Sequence, residues 1–585
     1  MKNYLLLALI MICHTLQAQR KTVELTFVHT SDVHGSIFSY DYLKHQQTES
    51  GLPFIHAYAD SLRTKLGERF ILTDGGDCLQ GQPTAYYSNY IDTVSTHMVA
   101  KVMNQMHYAC SVMGNHDIET GHAVYDRWVK QMQMPVLGAN VVDTRTGKPY
   151  LTPYIILERA GVRIAVLGMV TPTIPFWLPE NLWANLKFEN ITSSSAKWIK
   201  VIQTKEKPDL IVGIFHSGFN EGISQDGLLE NATEETARNV SGFDLILYGH
   251  DHRSAIHDVT NPDGKVVKCM GPASAGTRFV QANVKLTYEG NKLVDKVVDG
   301  KLLTTAECNR AMQKRVGESS ENVVAQLFEA DFVDERMTLN EWVNRPIGTL
   351  MEDMVEGDAY FGPSKFIDFI HQMQLDLTGA DVSFSAPLSY NTTLKAGELT
   401  VNHMFNLYKF ENLLYTMWLT GREIKDALEM SYSKWVNQMK TADDHIMLIS
   451  EEKGKRPSFV NPTFNFDSAA GILYTVDVTK PKGERIHISS FADGRPFDLD
   501  ATYKVAVNSY RGNGGGEILT EGAGIPREEL AARIITSTET DLRYQMMQRI
   551  IELKEVVPKS LSQWKFVPEE LAKPAIERDR KLLFK

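Results

Sequence analysis

Along residues 22 to about 303, short runs of apolar, β-branched and aromatic residues alternate with stretches of helical character. Runs at 23–29, 69–72, 163–170, 210–215 and 245–248 are short, β-rich and largely apolar, and each reads as a buried strand. Each run is followed by a cluster of Asp, His, Asn or Gly. The repetition matters because open α/β sheets gather ligands at the carboxyl ends of their strands. Residues 309–344 are charged and helix-compatible, and predict a helical connector. A second globular region opens at Arg345-Pro346-Ile347-Gly348 and runs to about 565. Residues 566–585 read from their charge pattern as a polar tail.

A chain of 585 residues is too long for one hydrophobic core, so two domains are expected, at 22–308 and 345–565. With 43% apolar and 23% charged residues the composition is that of an ordinary globular protein. The net charge of −11 is spread along the chain and argues against polymeric nucleic acid as a partner. A small phosphate ester can still bind if metal ions reverse the local sign. At the start, Lys2, an apolar run over 4–13 and Leu16-Gln17-Ala18 have the form of a signal peptide over 1–18, cleaved near Ala18. About ten apolar residues cannot cross a bilayer that needs roughly 20, and no later segment approaches that length. The expected location is therefore the periplasm or the exterior, with no membrane span. Cys78, Cys110, Cys269 and Cys308 lack CxxC spacing, which speaks against a zinc knuckle or a thioredoxin-type site. A disulfide and buried free thiols both remain open.

Five pieces carry the chemistry: Asp32-Val33-His34-Gly35, Gly76-Asp77, Gly114-Asn115-His116-Asp117, His216 and Gly249-His250-Asp251-His252. Asp32 and His34 are two apart, so on an extended strand end they point the same way, and His250 and His252 repeat the spacing. Asp77 can bridge two ions through its two carboxylate oxygens. Imidazoles, carboxylates and one amide suit zinc, manganese, iron or cobalt. A phosphate ester repels hydroxide because its oxygens are already negative. Two ions about 3.5–4 Å apart neutralise that charge and activate a water as hydroxide in line with the leaving oxygen. His116 can donate to the developing charge, with Glu119 or Asp117 orienting its other nitrogen.

This ordered set resembles the calcineurin-like metallophosphoesterases, and within them the periplasmic 5′-nucleotidase and 2′,3′-cyclic phosphodiesterase/3′-nucleotidase family. The resemblance implies an α/β fold: a four-layer α/β/β/α metallophosphoesterase domain followed by an α+β nucleotide-binding domain. It implies two divalent ions, one held by Asp32, His34, Asp77 and His252, the other by Asp77, Asn115, His216 and His250.

In the second half, Leu407-Tyr408-Lys409-Phe410-Glu411-Asn412 places an aromatic before a polar turn. Tyr510-Arg511-Gly512-Asn513-Gly514-Gly515-Gly516 puts an aromatic ahead of a glycine-rich loop. Flat bases stack well between two rings, at about 1–3 kcal/mol each. The resemblance implies that Phe410 and Tyr510 hold the base of a nucleotide substrate in the cleft between the domains. Asn513 and Glu517 lie close enough in sequence to be candidates for sugar or base contacts. Ser383-Phe384-Ser385-Ala386-Pro387-Leu388 is similar to the SAPF stretch of the cyclic-phosphodiesterase branch and lacks the phosphate-gripping Arg of the 5′-nucleotidases. The expected activity is thus that of a 2′,3′-cyclic-nucleotide 2′-phosphodiesterase/3′-nucleotidase. The alternatives are a 5′-nucleotidase or nucleotide-sugar hydrolase, a phosphoesterase for sugar or lipid substrates, and a binding protein without activity.

Overall fold

The computed structural model describes residues 20–316, 327–451, 454 and 456–584, so the signal-peptide reading lies outside the described residues. The chain divides into one unit of residues 1–174 and 181–336 and another of 175–180 and 337–585.

The first unit holds two mixed sheets. Its strands are β1 (Arg20–Thr30), β2 (Phe70–Asp74), β3 (Tyr154–Arg159), β4 (Val162–Val170), β5 (Leu210–His216), β6 (Leu245–Tyr248), β7 (Ala255–Thr260), β8 (Val266–Gly271), β9 (Arg278–Glu289) and β10 (Lys292–Thr304). One sheet runs β10-β9-β1-β2 and the other β7-β8-β6-β5-β4-β3. The five expected strands are β1, β2, β4, β5 and β6. β1 and β2 run parallel, as do β4, β5 and β6, so every segment that follows them leaves from a carboxyl end. β2 and β5 are buried at every position, which is why their sequences lack a polar face. Two helices matter to the site and its surroundings. The short α1 (Asn115–Glu119) carries the Asn-His-Asp motif, and α2 (Ile191–Lys205) packs Ile199 and Ile202 into a core with Phe215, Ile246 and Tyr248. The expected connector contains α3 (Thr305–Val316) and α4 (Val333–Val343).

The second unit is built on a five-stranded sheet of β11 (Val382–Ser385), β12 (Leu414–Thr420), β13 (Ser468–Ala470), β14 (Thr502–Asn508) and β15 (Ile534–Ser537), in the order β13-β11-β14-β12-β15. Around it pack α5 (Lys365–Thr378), α6 (Gly421–Trp435), the single turn α7 (Ser509–Gly512), α8 (Leu542–Leu553) and α9 (Glu569–Phe584). Thr420 and Glu423 cap α6 reciprocally, and its Trp435 stacks on Phe466. The reading of 566–585 as a tail is corrected. Val567 closes a strand, and α9 lays Ala572, Ala575 and Leu583 into the core beside Tyr360 and Trp564. Residues 572, 575, 579 and 583 follow helical spacing, but Asp579 interrupts the apolar pattern. Its buried carboxylate accepts the Ile446 and Met447 N–H groups at 2.8 and 3.0 Å.

Two buried histidines make stability depend on pH. Burial holds His97 and His371 down at about 3, against 6.5 for the free side chain. His97 pairs with Asn89 at 2.9 Å, and His371 lies between the Ser383 and Ser468 hydroxyls at 3.0 Å each. The unfolded chain takes up these protons first, so the stabilisation present above pH 6.5 is lost as pH falls towards 3. Each site is expected to cost about 1.4 kcal/mol per pH unit across that window. Urea midpoints between pH 7.5 and 4.5 check this: His371→Gln should lower the midpoint at pH 7.5 and flatten the acid slope.

Candidate active site

The first unit brings all seven predicted ligands together in two groups at the carboxyl ends of strands from both sheets. Asp32, His34 and His252 form one, with their donor atoms within 4.8 Å of one another; Asp77, His216 and His250 form the other. Asn115 joins the second, its Oδ1 3.0 Å from His216 Nε2. The expectation of extended strand ends is corrected. Asp32, His34, Asp77, His250 and His252 adopt left-handed conformations, with φ between 49° and 83°. The side chains converge because each strand ends in a sharp turn. Such residues cost about 1–3 kcal/mol each unless their surroundings enforce them.

The enforcement is visible. Asp32 accepts the His250 N–H at 3.0 Å, and its own N–H donates to Gly76 O at 2.8 Å. Asp77 Oδ1 accepts the His116 N–H at 2.9 Å. A Cβ on Gly114 would lie 2.0 Å from that oxygen, and one on Gly249 would lie 1.8 Å from Ser31 Oγ, so both motif glycines are required by close approach.

The polar atoms in this cluster need a cation. His34 Nδ1–H donates to Gln80 O at 3.2 Å, which leaves the lone pair of Nε2 directed at His252 Nε2, 3.1 Å away. His216 Nδ1–H donates to Gly75 O at 2.7 Å, and its Nε2 faces Asn115 Oδ1 at 3.0 Å and Asp77 Oδ2 at 3.2 Å. Asp77 Oδ2 is buried without a hydrogen-bond partner. Acceptors therefore face acceptors. Burial opposes charge on His216 and the Asp77 carboxylate favours it, so the pocket calls for positive charge at Nε2, as a proton in the absence of metal or as a bound cation. A pair of divalent ions would meet that demand, and nitrogen and carboxylate donors fit transition metals.

His116 reaches Glu119 through Nδ1 at 2.6 Å, and its ring lies 5.5 Å from that of His34. Burial lowers its basicity, but Asp77 and Glu119 outweigh burial and raise it to about 9. Asp117 does not serve as its partner. Its carboxylate accepts the N–H groups of Cys78 and Leu79 through Oδ1, and those of Asp77 and Gly114 through Oδ2, all at 2.8–2.9 Å. It braces the two motif loops.

Sequence reasoning missed Glu230. Its Oε1 lies 2.9 Å from His250 Nε2, and its Oε2 accepts the Ile223 N–H at 2.8 Å. Held this way, the His250 ring keeps its proton on Nε2 and its lone pair on Nδ1, the arrangement of a carboxylate–histidine–metal relay. A lone acid 20 residues from its partner carries no sequence signal.

In the second unit, Phe410 and Tyr510 are both half-buried, and their loops are stitched together. Asn508 donates to the Tyr408 hydroxyl at 3.2 Å, and Ser509 exchanges two hydrogen bonds with Leu413, at 2.8 and 3.0 Å. Arg543 on α8 donates to the carbonyls of Tyr408 and Lys409, at 2.9 and 2.5 Å. Buried Arg511 binds Asp467 at 2.5 Å and Phe464 O at 3.2 Å, and also donates to Gly515 O. Asn513 closes α7, and its carbonyl accepts from Arg527 at 2.8 Å. Glu517 lies 3.4 Å from Lys434. Among the described residues, Cys78, Cys110, Cys269 and Cys308 are buried free thiols.

Residues 25–254 match the model for calcineurin-like phosphoesterases, and residues 346–521 match the 5′-nucleotidase C-terminal domain. The first unit thus carries a calcineurin-like phosphoesterase domain. This phosphoesterase is 26% identical over 569 residues to the 2′,3′-cyclic-nucleotide 2′-phosphodiesterase/3′-nucleotidase of Yersinia enterocolitica, which covers 87% of the chain and 84% of that protein. It is also 26% identical to the trifunctional nucleotide phosphoesterase protein YfkN of Bacillus subtilis (strain 168), over 95% of the chain but only 40% of that longer protein. A crystallised Staphylococcus aureus chain, solved in complex with alpha-ketoglutarate, shares the fold with a TM-score of 0.73 at 22% identity, covering 93% of this chain and 100% of that one. The phosphoesterase is a hydrolase of phosphoric esters, with a calcineurin-like N-terminal domain and a 5′-nucleotidase C-terminal domain. Among the described residues, no helix is long and apolar enough to cross a membrane.

Replacing Glu230 tests the relay. Glu230→Ala is expected to weaken zinc or manganese binding about 10–100-fold, read by calorimetric titration of the metal-stripped protein. Glu230→Gln, which can still accept the imidazole proton, should lose less.

Proposed function

We propose that this phosphoesterase hydrolyses nucleotides, foremost 2′,3′-cyclic nucleotides and the 3′-monophosphates they yield. The observation that carries the reading is the convergence of acceptor atoms around Asp77, on which the first unit would seat two divalent ions: Asp32, His34 and His252 with Asp77 for one, Asn115, His216 and His250 with Asp77 for the other. Bound there, the ions would supply charge neutralisation at the phosphate and acidify a water. His116, held by Glu119, would donate a hydrogen bond or a proton to the oxygen on which charge develops.

Phe410 and Tyr510 would hold the base. Both residues are half-buried, whereas neighbouring Tyr408 and Tyr415 are fully buried, which supports this role. The cyclic and 3′ preference is supported by the Ser383–Leu388 stretch, which contains no cationic side chain, and by the Yersinia relative. The description of the C-terminal family model keeps 5′-nucleotidase activity as the second reading.

The metal-reconstituted protein assayed on 2′,3′-cyclic AMP, 3′-AMP and 5′-AMP decides between them. The first two are expected to show the higher kcat/KM, and a preference for 5′-AMP reverses the assignment. Asp77→Asn should abolish turnover of all three, and a variant with full activity would move the reaction to another place. Phe410→Ala and Tyr510→Ala should each raise KM for nucleotides by about 5–150-fold, the loss of about 1–3 kcal/mol of stacking.

A further inference from the structure

We infer that Phe464 is the third wall of the base slot and sets the length of base that fits. The inference rests on the reading of Phe410 and Tyr510 as base-stacking rings. Phe464 lies 6.1 Å, centroid to centroid, from each of them, at 84° to Phe410 and 85° to Tyr510. A ring inserted between two stacking platforms would lie parallel to them. On the reading that Phe410 and Tyr510 face each other across the base, a ring perpendicular to both, at equal distance, closes one end of the space between them.

Two further observations support a built site. All three residues are half-buried, whereas Phe466, two residues on from Phe464, is fully buried in the core. Mutual edge contacts among rings that remain open to solvent leave apolar surface uncovered at one spot, which favours a flat apolar occupant. Each platform also has a cation over its ring. Lys409 Nζ lies 5.5 Å from the Phe410 centroid, and Arg511 Cζ lies 5.4 Å from that of Tyr510. A cation occupies one face of a ring, and the opposite face serves the base.

The position of Phe464 is fixed by the same residue that fixes Tyr510. Arg511 donates to the Phe464 carbonyl at 3.2 Å and reaches the Asn465 side chain at 3.5 Å, while its backbone follows Tyr510 directly. Gly516 admits this arrangement, since a Cβ there would lie 2.1 Å from Asn465 Oδ1 and 2.5 Å from the Arg511 guanidinium. The end wall and one platform are therefore anchored by one residue. A purine is longer than a pyrimidine by one fused ring, so the wall acts on the ratio between them.

The test is the ratio of kcat/KM for 3′-AMP to that for 3′-UMP in the metal-loaded full chain, measured for the wild type, Phe464→Trp, Phe464→Ala and Phe464→Leu. Because the ratio is taken within one protein preparation, a loss of folded material cancels. Phe464→Trp, which shortens the slot, is expected to lower the ratio at least about tenfold, and Phe464→Ala to move it the opposite way, within the range that shape alone provides. Ratios that stay at the wild-type value in all three variants, while Phe410→Ala still raises KM, overturn the wall and leave the stacking pair intact. If Phe410→Ala and Tyr510→Ala leave KM unchanged as well, the stacking reading itself falls.

Discussion

Lone pairs directed at one another at the ends of the strands are the constraint from which the first unit is organised. Nε2 of His34 meets Nε2 of His252, and Nε2 of His216 meets oxygens of Asp77 and Asn115, with the outer nitrogens of His34 and His216 already committed to backbone carbonyls. Such an arrangement is unfavourable without positive charge, and buried polar atoms left unmatched cost about 1–3 kcal/mol each. The surrounding fold holds it in place. Strands buried at every position, left-handed turns and motif glycines without room for a Cβ fix the cluster before any cation arrives. Affinity for cations and an otherwise strained apo-protein are two aspects of one geometry.

The second unit solves a different problem, that of presenting apolar rings to water without letting them collapse inward. Its means are buried cations that bind backbone carbonyls. Arg543 secures the Tyr408–Lys409 turn from α8, and Arg511 gathers Asp467, Phe464 and Gly515. Guanidinium groups suit this work because they remain charged and donate in several directions at once. The core beneath, with Trp435, Trp564 and Phe466 in contact, gives the loops a rigid base.

Much of the first unit was legible from period and punctuation. Five apolar runs became five strands, and the clusters after them became the site, because full burial leaves an unmistakable run and strand ends are where α/β folds place polar side chains. The backbone at those ends was not legible. Two-residue spacing argued for extended strands, yet Asp32, His34, His250 and His252 turn left-handed, a choice set by hydrogen bonds between loops distant in sequence. Asp117 was misassigned for a related reason. Its neighbour in sequence is His116, but its neighbours in space are four N–H groups. Glu230 and Phe464 are isolated residues whose partners lie 20 and 46 or more positions away. The last helix was hidden by a single buried acid, Asp579.

Asp117 also has a bearing on how such a centre can change over time. One short side chain spans the loop that carries Asp77 and the loop that carries Asn115, so the separation of those two donors is set by the dimensions of a carboxylate rather than by the donors themselves. Exchanging a donor alters which metal is preferred while the spacing stays constant. Lengthening the strut by one methylene would change the spacing with every donor retained. Chemistry and metrics in this protein are thus separately heritable, and the second is governed by a residue that need never meet the substrate.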